Sequence, residues 1–171
     1  ISGPGMRVAG GVRFGKDGRA SVRLSPVKLG GGTDLPVTIR PLPKNGYEIE
    51  LGKGRLDLRP VILANDNEAT KNPAKAKGAE KDRTPLRIKL SGPNVRVRAA
   101  PPFHDMRGRL LLRGDKILDA QMSGRPGGGE IAEFRLSPNG NLLVTAGDAG
   151  ALLHTLGLPG RLDGGRLELK G

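Results

Sequence analysis

Across most of this 171-residue chain, apolar residues alternate one for one with charged or polar ones. Leu86, Ile88 and Leu90 are interleaved with Arg87 and Lys89. Tyr47, Ile49 and Leu51 are interleaved with Glu48 and Glu50, and Ala132, Phe134 and Leu136 with Glu133 and Arg135. Val8, Val12 and Phe14, then Val22 and Leu24, then Leu56 and Leu58, follow the same rule. Successive side chains of a β-strand point to opposite faces, so a period of two makes a strand with one dry face and one wet face. The runs are separated by turn signals such as Gly15-Lys16-Asp17-Gly18, Asn45-Gly46, Gly52-Lys53-Gly54, Gly92-Pro93-Asn94 and Pro138-Asn139-Gly140. The 28 Gly and 14 Pro of the chain serve these turns, with no Gly-X-Y repeat. No strand–helix–strand rhythm is present, which argues against a doubly wound parallel fold. The pattern predicts a mainly β protein. Its many short strands form an antiparallel, strongly curved sheet, taco-like or barrel-like, with one short helix on the apolar face.

Two segments break the alternation. In 148–157, Asp148 is a good N-cap, and Ala149, Leu152, Leu153 and Leu156 recur at helical spacing. Gly157 suits the left-handed C′ position and Pro159 bars continuation. This helix is expected to plug the aliphatic face of the sheet with Leu152, Leu153 and Leu156. Residues 65–84 hold no Val, Ile, Leu, Met or aromatic residue, and their charges nearly balance. Such a stretch buries too little surface to offset its ordering entropy, so it reads as a flexible loop or linker. The chain thus divides into a first β-meander segment (1–64), the polar linker (65–84) and a second β segment with the helix (85–171), expected to form one continuous β-domain. Residues 1–5 read as an added remnant or a cut inside a longer protein.

The composition narrows the chemistry. There is no cysteine, so neither a disulfide scaffold nor a thiol nucleophile is available. His104 and His154 have no Cys or carboxylate partner at metal-ligand spacing. The runs Gly30–Gly32 and Gly127–Gly129 lack the Lys-Ser/Thr of a phosphate loop. No enzyme, no cofactor and no metal is therefore expected. The formal charge is +12, which favours anionic partners. Arg96, Arg98, Arg107 and Arg109 are the candidate anion contacts. A dedicated nucleic-acid site is not expected, because single-strand binders interleave aromatic platforms with their cations. Here aromatics make up 2% of the chain, and three of the four fall on the aliphatic face.

Several of these elements resemble a known family. Asp148-Ala149-Gly150-Ala151-Leu152-Leu153, then Leu156-Gly157-Leu158, then Gly164-Gly165-Arg166-Leu167 resemble the C-terminal region of YhdP-like proteins of the AsmA-like superfamily. Leu56-Asp57-Leu58-Arg59-Pro60 is similar to an element of the same proteins, and Leu110 to Gly124, followed by Gly127-Gly128-Gly129 and Ala132–Leu136, resembles their hairpin before the helix. The usual Asp-Asp-Ala-Gly stands here as Gly147-Asp148-Ala149-Gly150. The resemblance implies a segment of a long bacterial envelope protein in the periplasm, tethered to the inner membrane by an anchor outside this chain. Such proteins carry phospholipid toward the outer membrane along a hydrophobic β-groove, without catalysis. The implied partners are phospholipid acyl chains and neighbouring β-repeats. The expected groove face is Val95, Val97, Leu110, Leu112, Phe134, Leu136, Leu167 and Leu169. Alternatives left open are a basic polyanion-binding β-domain, for nucleic acid or lipid headgroups, and a purely structural repeat segment.

Overall fold

The computed structural model describes residues 2–3, 5–43, 45–60, 62, 84–114, 116–158 and 164–171. The chain is mainly β, and its described residues form one sheet of 13 strands. The first meander holds β1 (Ser2–Gly3), β2 (Met6–Phe14), β3 (Ala20–Leu29), β4 (Thr33–Pro41), β5 (Tyr47–Leu51) and β6 (Gly54–Asp57). The second holds β7 (Leu86–Ser91), β8 (Pro93–Arg96), β9 (Phe103–Arg113), β10 (Lys116–Pro126), β11 (Ala132–Leu136), β12 (Leu142–Ala146) and β13 (Leu167–Lys170). A helix, α1 (Ala149–Thr155), stands between β12 and β13. The linker at 65–84 lies outside the described residues except for Thr84.

Strand pairs within each meander are antiparallel, as the hairpin turns dictate. The junction between the meanders is not: β5 pairs with β7, and β6 with β8, in parallel. β5 and β6 lie end to end along β4, and β7 and β8 end to end along β9. Both parallel ladders hold the same offset, from Leu51 to Leu90 and from Gly54 to Pro93. Two long, bent strands therefore run side by side in one register. Charge fixes that register: Glu48 faces Arg87 (3.6 Å), Glu50 faces Lys89 (3.1 Å), and Asp57 stands opposite Arg96. Parallel neighbours need a long return connection, and residues 58–85 separate β6 from β7.

The sheet is bent by a line of bulges. One extra residue is accommodated at Ser25-Pro26 in β3, at Gly52-Lys53 between β5 and β6, and at Asp105 (φ +50°) in β9. Bulges increase the local twist and bend the strand that carries them. They fall on the same side of one cross-strand row, so the sheet folds along that line. Beyond the fold, Val27, Leu35, Val95, Phe103, Ala132 and Ala146 are buried. Phe103 meets Phe134 edge to face, 5.8 Å between ring centres.

The helix covers this region. The Asp148 carboxylate accepts from the Ala151 N–H at 2.9 Å. At the other end Gly157 (φ +70°) donates to His154 O and Leu158 to Leu153 O, which closes the last turn as a Schellman motif. The buried stripe is Ala149, Leu152 and Thr155, with Leu152 only 1% exposed and Leu156 packed against the same cluster. Leu153 is half-buried and lies outside that cluster, so of the three expected plug residues it is the one that does not plug. The Thr155 hydroxyl is buried without a hydrogen-bond partner among the described residues.

Candidate functional site

The dry face carries unbroken apolar rows across the sheet. Register links Val12, Val22, Ile39, Ile49, Ile88, Leu110, Ala120, Leu136 and Leu142, each directly opposite the next on the neighbouring strand. Strands are spaced about 4.8 Å apart, so this row is about 38 Å long. A parallel row, Gly10, Leu24, Val37, Leu51, Leu90, Gly108, Met122, Phe134, Val144 and Leu169, runs beside it. On the other flank Tyr47, Leu86, Leu112 and Ile117 line up next to the hairpin turns.

Cover on this face is uneven. Helix α1 closes it beyond the bulges on the side of the second meander. Across the first meander and along the turn-side rows no described element lies over it. There Val22, Leu24, Val37, Ile39, Ile49, Ile88 and Leu110 are only half-buried. Val12 is 57% and Phe14 71% exposed, and Tyr47, Ile117 and Leu142 are exposed with them. Soluble proteins rarely leave so many large apolar side chains contiguous and wet.

The expected groove residues divide accordingly. Leu110, Leu112 and Leu136 lie in the half-open rows. Phe134 is half-buried against the covered core, as are Val97 and Leu167. Val95 is buried inside the core. Leu169 is exposed on the edge strand β13. The rows of the first meander, from Val12 to Ile49, belong to the same surface. Their signal was present in the sequence as the same alternation, but only the strand order joins them to the second half.

The wet face is organised by charge. Arg107 and Arg109 stand with Arg87, Lys89 and Arg135 around a groove of about 870 Å³. Four of these cations have carboxylate neighbours: Arg87 with Glu48, Lys89 with Glu50 (3.1 Å), Arg109 with Asp119 (3.9 Å) and Arg135 with Glu133 (2.9 Å). The hydrogen bonds from Lys89 and then Ser91, against the opposing effect of burial, hold the Glu50 carboxyl below its ordinary pKa. This groove is therefore largely neutralised by its own acids. Arg96 and Arg98 are elsewhere: Arg96 opposite Asp57 on β6, and Arg98 against Gly157 at the end of the helix.

Asp57 is the one largely buried ion-paired carboxylate among the described salt bridges, with 6% side-chain exposure. It accepts from the Arg59 backbone N–H (3.0 Å) and from Arg59 Nε (2.9 Å) and a terminal nitrogen (2.6 Å). Its own N–H donates to Thr33 Oγ1 at 3.1 Å, and Arg59 also reaches Gly31 O, so the pair ties β6 to the β3–β4 turn. The Arg59 guanidinium is the main cause holding the Asp57 carboxyl below the usual carboxylate range. A depressed carboxyl stabilises the fold above its unfolded pKa, and that contribution is lost as pH falls through the folded value. Asp57→Asn is expected to cost about 1.5–3 kcal/mol at neutral pH. It should also flatten the loss of stability below about pH 4 that urea titrations of the wild type should display.

Among the described residues, no group of three or more His, Cys, Asp or Glu is placed to hold a metal ion. No helix there is long and apolar enough to cross a membrane. Compared with protein-family profiles, with curated proteins and with solved structures, the chain has no match.

Proposed function

We propose that this chain is a lipid-holding segment of a bacterial envelope protein, in which the dry face of the sheet carries the acyl chains of phospholipids without catalysing any reaction. One observation carries the reading: nine apolar side chains aligned across nine strands, most of them only half-covered. A bilayer's hydrocarbon core is about 30 Å thick, so one leaflet's chains occupy about 15 Å. A row of about 38 Å accepts two such chains end to end. Each buried methylene contributes about 0.8 kcal/mol, enough to retain a tail and little enough per step to let it slide. Aliphatic lining without rings in the central row keeps that path even.

The resemblance to YhdP-like proteins supports the same reading and adds its setting: the periplasm, an inner-membrane tether outside this chain, and transport toward the outer membrane. Both sheet edges suit continuation by neighbouring β-repeats, since most of β2 and the outer side of β13 have no described strand beside them. Purification without detergent, followed by native mass spectrometry and lipid extraction, tests the proposal. Phospholipid should accompany the wild type. Its absence, in protein shown to be folded, overturns the reading.

A further inference from the structure

We infer a second binding site, for a phosphate-bearing group, on the wet face of the first meander. In the sheet register Gly11 stands opposite Arg23 and Arg23 opposite Thr38. Two residues further along the strands, Arg13 stands opposite Ser21, with Arg40 on the same face of β4. Three guanidinium groups on three adjacent strands thus surround Ser21. They line a hollow of about 580 Å³ together with Ser25 and Thr38. Gly11 leaves the floor open: a Cβ there would meet nothing within 4 Å.

The contrast with the larger groove is what points to a ligand. Around that groove four carboxylates answer five cations, whereas no carboxylate lines this hollow. Arg13 and Arg23 have no hydrogen-bond or ion-pair partner among the described residues, and Arg40 has only Glu50, at 3.6 Å. Diagonal neighbours on a sheet lie about 7–8 Å apart, so the two unanswered charges of Arg13 and Arg23 repel each other, and Arg40, paired only at 3.6 Å, adds to the repulsion. An oxyanion removes that repulsion. Arg presents a planar fork that matches phosphate oxygens two at a time, and serine and threonine hydroxyls donate to the remaining ones.

The chemistry recognised is a phosphate ester, carried either by a phospholipid headgroup or by a soluble molecule. The first source rests on the lipid reading above. β2 is near the sheet edge, and its opposite face exposes Val12 and Phe14, so a lipid lying there could turn its headgroup over that edge to Arg13.

The test uses the whole chain at low salt with two probes, glycerol phosphate and dihexanoyl phosphatidylglycerol, followed by calorimetry. Arg13→Gln with Arg23→Gln should weaken binding of at least one probe by about tenfold or more. Arg125→Gln with Arg166→Gln removes the same charge on the far side of the sheet and should change binding less than twofold. Comparable binding of both probes, with loss in the site variant, assigns a soluble phosphate ester and stands even if no lipid tail is ever held. Binding of the lipid alone, with the same loss, assigns the headgroup. Equal weakening in both variants would show diffuse charge attraction and overturn the site. So would failure of the wild type to bind either probe at millimolar concentration.

Discussion

Replacing Leu152 with Asp is expected to abolish the cooperative unfolding transition at 25 °C, while Leu153→Asp leaves it within about 1 kcal/mol of wild type. The two residues are adjacent in the chain and equally apolar, so only their placement separates them. Leu152 is 1% exposed and touches the cluster formed by Leu90, Val95, Phe103, Met106 and Val144. Losing a buried Leu costs about 2–5 kcal/mol, and placing a carboxylate in the space adds a desolvation penalty of several more. That total is comparable with the whole stability of a domain, about 5–15 kcal/mol. Urea titration followed by far-ultraviolet circular dichroism measures both. A stable Leu152→Asp protein would mean that α1 is peripheral to the core.

Gly108→Val is expected to cost roughly 3–5 kcal/mol, the second largest effect. Gly108 sits in the middle of β9 at φ +137°, between Leu90 and Met122 in the apolar row. A Cβ there would stand 2.0 Å from Gln121 O and 2.7 Å from Met122 Cα. Both are backbone atoms of the neighbouring strand, so no rotamer change relieves the clash. Gly11 lies in a strand interior too, yet a Cβ there meets nothing, and Gly11→Val should be close to neutral when both variants are compared with wild type in thermal melts. Equal destabilisation by the two substitutions would show that loss of glycine flexibility, not steric crowding across β9 and β10, governs the cost.

Much of this fold is written in residue order, and the exceptions have physical causes. Alternation assigns most strands and both faces, because side-chain direction in a strand depends only on parity. It does not say which strands become neighbours. The central parallel pair therefore escapes it, although Tyr47–Leu58 and Leu86–Val97 share one apolar pattern with opposite charges at Glu48/Arg87, Glu50/Lys89 and Asp57/Arg96. Reading those two segments against each other would have found the join. The bulges are less legible. Ser25-Pro26 and Gly52-Lys53 look like ordinary strand ends, and Asp105 carries only aspartate's general tolerance of positive φ. Each bends the sheet, so Val95 lies beyond the fold line, in the core that α1 covers, rather than in the half-open rows.

The helix illustrates a different limit. Its cap, length and stop are local and follow from Asp148 and Gly157. Which leucine faces inward depends on the angle at which the helix meets the sheet. Spacing alone places Ala149, Leu152, Leu153 and Leu156 on one stripe, and the packing selects Ala149, Leu152 and Thr155 with Leu156. On the wet face, likewise, composition reports an excess of cations but not where it is uncompensated. Arg107 and Arg109 belong to a self-neutralised groove, while Arg13 and Arg23 do not. That distinction needs cross-strand register, because the neutralising acids come from other strands.

The central claim is that the dry face, and not the wet one, holds acyl chains. Adjacent residues of β7 test it most directly, since Ile88 and Lys89 share a backbone and point to opposite faces. A photo-activatable benzophenone side chain placed at each position in turn, irradiated in cells and analysed for covalently attached lipid, compares the two faces at one point of the chain. Phospholipid adducts at Ile88, and at Val22 and Leu136 along the same row, with none at Lys89 or Arg135, are the predicted result. Adducts at Lys89 equal to those at Ile88, or none at any position of the row, would contradict it.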